Sequence, residues 1–290
     1  MANISTTHVF GLGWLGLPLA FSLKSRGIKV TGSVSSEAKQ AVLNQVIPTR
    51  VFNLYNHMSN RVVDDFANAA LVLNIPPGRK AFNPDEYSQA MIAFIDNAMQ
   101  AGLQKLIFVS TTSVFNGVKG QIHNYTSVQP TTESGKAHVA IEHHLQQQYP
   151  EQTYIVRPSG LVGPIINHKG QNIGYRHPVY SLSKKQDIAN GHQVINLVHQ
   201  ADVIAVIETL ICTQTKQHVF NLAAFDHPIK SDYYATCAEL LNLPAPGFLP
   251  EASQNDNQGK IIVGEDTFKD LQLRPHFDST MSLIKPLLEK

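Results

Sequence analysis

Cysteine and net charge are both scarce in this 290-residue chain, and each scarcity excludes a class of protein. The chain has only two cysteines, Cys212 and Cys237, whose separation matches no metal-binding or redox motif and fits a reducing cytoplasm. A formal net charge of +1 argues against nucleic-acid binding and against a polybasic membrane-binding surface. We therefore expect a cytoplasmic protein that acts on a small-molecule substrate, with no nucleic-acid or membrane partner and no metal. A homodimer is the expected assembly.

The chain also lacks long apolar runs. No stretch reaches the roughly 18 apolar residues that a membrane-spanning helix needs. Its first residues show neither a basic region nor an uninterrupted apolar core followed by a small-residue cleavage site. These absences predict a soluble, untargeted protein.

What the chain does contain is a glycine-rich turn near its start. Residues 9–16 read V-F-G-L-G-W-L-G, with the spacing G-x-G-x-x-G. In a dinucleotide-binding turn, Gly11 makes the tight turn, Gly13 lets the backbone approach a pyrophosphate, and Gly16 lets the next helix pack against the strand. The same spacing also occurs in strand-to-helix turns that bind nothing, so the surrounding sequence has to decide between the two.

Strands and helices alternate around and after this turn, which is the context that nucleotide binding requires. A helix over 15–26 ends at Gly27 and leads into a strand over 28–33. Continuous apolar runs at 70–75 and 106–109 are typical of buried parallel strands. We predict further strands at 50–52, 154–157 and 218–222, and helices at 87–101, 133–148 and 201–212. The pattern predicts an α/β fold with a doubly wound parallel sheet, which binds ligands beyond the carboxyl ends of its strands.

The amino-acid composition and its periodicity change after residue 165. Residues 166–194 are rich in Asn, His, Lys, Gly and Gln and show little periodicity, which predicts an excursion over the active face. We expect a dinucleotide-binding Rossmann domain formed by residues 1–165 and 195–225. Residues 166–194 and 226–290 are expected to form a small, mixed C-terminal substrate-binding cap.

Three further motifs resemble those of the extended short-chain dehydrogenases, the family of nucleotide-sugar epimerases and dehydratases. Residues 110–115 (S-T-T-S-V-F) resemble its S-S-x-x-V-Y-G, and residues 157–164 (R-P-S-G-L-V-G-P) resemble its R-x-x-x-x-Y-G-P. Residues 196–203 (N-L-V-H-Q-A-D-V) resemble its hydrophobic-V-H-V-x-D-V segment. The glycine turn departs from the usual G-x-x-G-x-x-G, with Phe10 in the first glycine position. Its G-L-G-W-L-G is similar to that of the atypical YeeZ-like group.

This resemblance implies an NAD(P)-binding oxidoreductase, epimerase or dehydratase that acts on a hydroxyl or carbonyl of a small polar substrate, with a nucleotide sugar as one candidate. In the family, a Tyr takes a proton from the substrate and a Lys one helical turn later lowers the pKa of that Tyr. Here the register set by Gly135 and Glu142 places Ser134 and His138 at those positions. Because both groups are replaced, a non-catalytic NAD(P)-binding sensor or regulatory protein is the alternative.

The candidate catalytic residues each have a structural alternative. Thr111 takes the place of the family's substrate-binding Ser, but it and Ser113 could simply bond their own backbone. Ser134 could cap the helix, and His138 could be an ordinary solvated histidine. The candidate catalytic residues are Thr111, Ser113, Ser134 and His138.

The choice of cofactor depends on the tip of the second strand. No carboxylate stands there to bind ribose hydroxyls, whereas a serine cluster with Lys39 could bind a 2′-phosphate, so NADP is the preferred expectation over NAD. Glu37 keeps NAD open. With the resemblance, the expected cofactor-binding residues are Gly11, Gly13, Trp14, Leu15, Gly16, Ser33, Ile75, Pro76 and Pro158.

Three charged residues outside these motifs have more than one interpretation. Arg157 could bind an anionic substrate or pair with a carboxylate. Asp202 could cap the helix that follows it. Arg176, together with the lysines at 184 and 185, could meet a phosphate in the cap or could simply be solvated.

Overall fold

A computed structural model of the protein describes residues 4–56, 66–77, 82–250 and 259–289. The strands are β1 (Thr6–Phe10), β2 (Val30–Val34), β3 (Thr49–Val51), β4 (Ala69–Leu73), β5 (Lys105–Val109), β6 (Gly120–Ile122), β7 (Thr153–Pro158), β8 (Gly160–Ile166), β9 (Asn172–Arg176), β10 (Leu197–His199), β11 (Val219–Leu222) and β12 (Lys260–Ile262). The helices are α1 (Gly16–Ser25), α2 (Glu37–Leu43), α3 (Pro84–Gln100), α4 (Glu133–Gln148), α5 (Val179–Leu182), α6 (Gln200–Cys212), α7 (Lys230–Leu240), α8 (Glu265–Asp270) and α9 (Lys285–Leu288). Short 3-10 helices span Thr112–Phe115 and Thr280–Ile284.

Seven of these strands form one parallel sheet in the order β11-β7-β5-β4-β1-β2-β3. Side chains of β1 alternate between its two faces, so Val9 packs into one apolar core and Phe10 into the other. Helices α1 and α6 cover the first face and α3 and α4 cover the second. This is the doubly wound Rossmann fold that the alternation of strands and helices predicts.

A second, smaller sheet has the order β10-β8-β9. Strand β8 begins two residues after β7 ends, so the chain leaves the main sheet almost at once. Strands β8 and β9 form an antiparallel hairpin in which Gly163 pairs with Arg176. The excursion predicted for 166–194 therefore contains β9 and α5, while β11 returns to the main sheet as the predicted strand at 218–222.

Several predicted boundaries are confirmed and others shift for identifiable reasons. Helix α4 spans the predicted 133–148. Helix α3 starts three residues before the predicted 87, because the Asn83 side chain accepts hydrogen bonds from the backbone N–H groups of Asp85 and Glu86. The sequence P-P-G at 76–78 also predicts a turn after the strand, and residues 78–81 of that turn lie outside the described part. No helix of the described residues is long and apolar enough to cross a membrane.

Candidate functional site

The glycine turn joins β1 to α1, and its three glycines face different surroundings. At Gly11, which has φ +98°, a Cβ atom would lie 2.1 Å from the carbonyl oxygen of Asn74. At Gly16 it would lie 2.2 Å from the carbonyl oxygen of Gly11. At Gly13 the nearest such atom, the Gly11 oxygen, is 4.0 Å away. Gly11 and Gly16 are therefore required by the protein's own packing, whereas Gly13 faces open space.

Neighbouring strands hold this turn in place. The backbone N–H of Leu12 donates to the Ser33 carbonyl at 2.8 Å, and that of Gly11 donates to Ser33 Oγ at 3.1 Å. In contrast, the N–H groups of Trp14 and Leu15 have no acceptor within the described protein. Unpaired N–H groups beside an open glycine at a helix start are the arrangement that a pyrophosphate fits.

A cleft of about 640 Å³ opens above the turn, at the carboxyl ends of the main-sheet strands. Of the nine expected cofactor-binding residues, Gly16 lies behind the turn and the other eight line the cleft. The lining carries two cationic side chains, Lys39 and Arg176, and no carboxylate among the described residues. Three further polar residues of this lining, Asn74, Ser110 and Ser159, are not among the residues that the sequence assigns to the site.

Thr111 is the candidate catalytic residue that the structure places in the cleft. Its Oγ1 accepts a hydrogen bond from the Ser113 backbone N–H at 3.1 Å and lies 3.0 Å from Ser113 Oγ. Ser113 is not part of the lining. The Thr111 hydroxyl thus caps the 3-10 helix that follows β5. Thr111 also lines the cleft.

Ser134 and His138 lie on α4 outside the cleft lining. Two expectations about them are wrong. Thr132, not Ser134, caps the helix, because its Oγ1 accepts from the Gly135 N–H at 3.1 Å. His138 is not solvated: only 5% of it is exposed, and burial lowers its pKa. Its Nδ1 donates to the Ser134 carbonyl at 2.7 Å, so this nitrogen is not directed at the Ser134 hydroxyl.

A buried ion pair lies beneath Ser110, one of the residues that line the cleft. Arg157 donates to both carboxylate oxygens of Glu142, from Nε at 3.0 Å and from a terminal nitrogen at 2.6 Å. The Ser110 hydroxyl donates to Glu142 Oε1 at 2.6 Å. The carboxylate-pairing interpretation of Arg157 is therefore confirmed, and its charge is used inside the protein.

Ser159 contributes the unexpected feature of the site. Only 8% of the residue is exposed, and its Oγ has no hydrogen-bond partner in the described protein. It lies between Pro158 and Gly160, at the point where the chain leaves the main sheet, and it lines the cleft. A buried hydroxyl without a partner is costly, so its presence beside an open cleft favours a ligand that supplies the missing bond.

The remaining charged candidates lie elsewhere. Asp202 does not cap α6; His199 Nδ1 accepts from the Ala201 N–H at 3.1 Å, and Asp202 accepts from the backbone of His276 at 2.6 Å. The lysines at 184 and 185 do not line the cleft, whereas Arg176 does. The described residues contain no cluster of His, Cys, Asp or Glu that could hold a metal ion.

Comparisons with solved structures show the same fold. The UDP-glucose 4-epimerase of Thermotoga maritima, solved with UDP-glucose, matches with a TM-score of 0.77 and 16% identity, over 98% of this chain and 97% of that one. The Bordetella bronchiseptica enzyme WbmG, solved with NAD, also gives a TM-score of 0.77 at 16% identity, over 98% and 93% of the two chains. No protein-family model matches.

The glycine turn, the doubly wound sheet and these likenesses define a Rossmann-fold protein. The chain is 32% identical to the Escherichia coli protein YeeZ over 260 residues, which cover 88% of this chain and 90% of YeeZ. It belongs to the YeeZ family.

Proposed function

We propose that the protein binds a nicotinamide dinucleotide in this cleft and uses it to oxidise or reduce a hydroxyl or carbonyl of a small polar substrate. The observation that carries the proposal is the open space at Gly13. A Cβ atom there would meet no close neighbour, whereas a Cβ atom at Gly11 or Gly16 would collide with the backbone of the described residues. The NAD found with WbmG and the UDP-glucose found with the Thermotoga epimerase support a dinucleotide and a nucleotide sugar as the ligand classes.

Residues at the two ends of the cleft would bind different parts of the ligands. The glycine turn would hold the pyrophosphate on its free N–H groups. Thr111 and Ser159 lie at the other end, where their hydroxyls would orient the substrate oxygen and the nicotinamide amide. The dinucleotide, when bound, supplies or accepts the hydride. Since Ser134 and His138 lie outside the cleft lining, the Thr111 hydroxyl would pass the substrate proton on to solvent or to a basic group of the substrate, giving up its own proton as it takes the substrate's.

We further propose NADP as the preferred dinucleotide. Ser35 and Lys39 line the cleft beyond the tip of β2, where the adenosine ribose would lie, while Glu37 does not. A cation and a hydroxyl without a neighbouring carboxylate favour a 2′-phosphate over free ribose hydroxyls.

A non-catalytic dinucleotide sensor is the second candidate function. It is favoured by the burial of His138 and by its hydrogen bond to a backbone carbonyl, which leave the cleft without the family's ionisable pair. Catalysis and sensing both require dinucleotide binding and differ only in turnover.

Calorimetric titration with NADPH, NADH and ADP-ribose tests the shared step. We expect saturable binding of NADPH, and no binding of any of the three would contradict both functions. Absorbance at 340 nm then follows reduction of NADP⁺ or NAD⁺ with a panel of nucleotide sugars and small hydroxy compounds. Turnover that is lost in Thr111→Ala supports the enzyme, and binding without turnover across the panel supports the sensor.

The expected division of the chain also stays a proposal. We propose residues 166–194 and 226–290 as the substrate-binding cap and residues 1–165 and 195–225 as the dinucleotide-binding domain. The two thiols, one exposed and one buried, are free, which supports a reducing compartment such as the cytoplasm. A homodimer remains part of the same proposal.

A further inference from the structure

Trp14 links the glycine turn to the smaller sheet and to α6. Its indole N–H donates to the Pro164 carbonyl of β8 at 2.7 Å. Its backbone carbonyl accepts from Gln200 Nε2 at 2.6 Å. The Arg176 guanidinium of β9 lies over its ring, 4.7 Å from the centroid. One residue of the turn therefore fixes where the β8–β9 hairpin sits.

The hairpin itself is shaped for this contact. Gly163 pairs with Arg176 across the hairpin and has φ +148°. A Cβ atom at Gly163 would lie 2.7 Å from the Cβ of Gln200, the residue that holds the Trp14 carbonyl. The close approach of β8 to α6, which brings the Arg176 side chain over the turn, thus depends on a glycine.

Arg176 has no carboxylate partner among the ion pairs of the described residues. It is exposed, lines the cleft, and rests on the residue that directly follows Gly13. The other cation of the lining, Lys39, belongs to α2, beyond the tip of β2. An unpaired guanidinium beside free backbone N–H groups suits a diphosphate, because it can donate two parallel hydrogen bonds to phosphate oxygens.

We propose that Arg176, held in place by Trp14, clamps the pyrophosphate of the bound dinucleotide from the side opposite the glycine turn. This inference rests on the proposed function and adds a residue contributed by the smaller sheet. The pyrophosphate then lies between backbone N–H groups below and a guanidinium above.

The test compares Arg176→Ala, Arg176→Lys and Lys169→Ala. Lys169 lies on the same hairpin, is exposed and does not line the cleft, so its variant removes the same charge elsewhere. We expect Arg176→Ala to weaken binding of ADP-ribose, which has the pyrophosphate but no nicotinamide, by about tenfold or more. Arg176→Lys should recover part of the loss, since it restores the charge but not the paired donors. Lys169→Ala should stay within about twofold of the wild type.

Titration with UDP separates the cofactor diphosphate from a substrate diphosphate. Equal ADP-ribose affinity in Arg176→Ala and Lys169→Ala would overturn the inference, and so would a loss confined to UDP. If the wild type binds no dinucleotide at all, the proposed function fails on that measurement alone. If the wild type binds and Arg176→Ala binds equally well, only the role of Arg176 fails and the proposed function stands.

Discussion

Ser159 connects the stability of the protein to its ligand at the level of one hydroxyl group. Its Oγ is buried with no hydrogen-bond partner in the described part of the chain, so Ser159→Ala removes a desolvation cost. We expect the free energy of unfolding, measured in urea, to stay the same or rise by up to about 1 kcal/mol. Binding of NADPH or substrate should weaken, because the ligand loses a hydrogen bond.

Ser183 provides the control for that variant. Its Oγ is also buried with no hydrogen-bond partner among the described residues, but it does not line the cleft. Ser183→Ala should match Ser159→Ala in stability and leave ligand affinity unchanged. Equal affinities in the two variants would show that Ser159 does not contact the ligand.

Lys39 is the residue on which the choice between NADP and NAD depends. We expect Lys39→Ala to weaken NADPH binding by about tenfold, since it removes a charged donor to the 2′-phosphate, and to leave NADH binding nearly unchanged. Calorimetry with both cofactors measures the ratio. Lys29→Ala, which removes an exposed lysine just before β2 and outside the cleft, is the matched control. A parallel loss for NADPH and NADH would contradict the NADP assignment.

At the residue scale, the sequence predicts roles that follow from sterics better than roles that follow from side-chain direction. The glycines of the turn are recognisable because Gly11 and Gly16 leave no room for a Cβ atom, while Gly13 stands where a ligand would approach the backbone. Helix caps are harder to recognise in the sequence. Thr132 rather than Ser134 caps α4, and His199 rather than Asp202 caps α6. A shift of one to three residues in the helix start reassigns the cap, and a sequence pattern does not locate helix starts that finely.

Helix α4 carries one buried and one exposed ion pair, which makes it a matched test of burial. Glu142→Gln leaves Arg157 buried and uncompensated, and we expect it to lower the free energy of unfolding by about 3 kcal/mol. Glu133→Gln breaks the exposed pair with Lys136 and should cost less than about 0.5 kcal/mol. Urea unfolding measures both. A small loss in Glu142→Gln would mean that the buried pair does not fasten α4 to β7.

The start of α6 gives the protein a predicted sensitivity to acid. Burial lowers the pKa of His199 to about 4 from an ordinary value near 6.5, so the unfolded chain binds more protons between these values. The free energy of unfolding should therefore fall as pH drops from about 6.5 to 4, by about 3 kcal/mol from this residue. His177, whose pKa burial also lowers to about 4, adds to the fall.

His199→Asn isolates that contribution, since asparagine can still accept the Ala201 N–H as a cap and does not titrate. Burial raises the pKa of Asp202 to about 6, which opposes the loss in part of the same range, but this group is present in both proteins and cancels in the comparison. Unfolding free energies measured between pH 7 and 4 should decline less steeply in His199→Asn. Parallel curves would contradict the assignment.

At the element scale, continuous apolar runs correctly predict the central strands, because parallel strands covered on both faces must be apolar throughout. Elements that the sequence does not reveal are short or depend on distant partners. Strand β6 has three residues and pairs with β12. The first residue of β12, Lys260, lies 138 residues after Ile122, the last residue of β6. The sequence analysis predicts no strand at β8, which starts two residues after β7 and pairs with β10 and β9 instead of the main sheet.

At the scale of the whole molecule, the glycine turn connects the Rossmann sheet to the smaller sheet through the contacts of Trp14 with β8 and β9. The fold could be predicted from the sequence because strand and helix signals recur in a regular order. The set of polar residues in the cleft could not be predicted, because Ser159, Arg176 and Asn74 lie at or just after the ends of β7, β9 and β4, which are far apart in the sequence. Membership of the YeeZ family agrees with the resemblance carried by G-L-G-W-L-G.

The most direct test of dinucleotide binding is the thermal shift of Gly13→Ala. A Cβ atom at Gly13 would meet no atom of the described residues nearer than 4.0 Å, so the free variant should melt within about 1 °C of the wild type. NADPH at 100 times its Kd should stabilise the wild type by about 2.7 kcal/mol, or roughly 5 °C in Tm, and should leave Gly13→Ala unshifted. An unshifted wild type, or a variant that keeps the full shift, would contradict the assignment of the glycine turn as a pyrophosphate site.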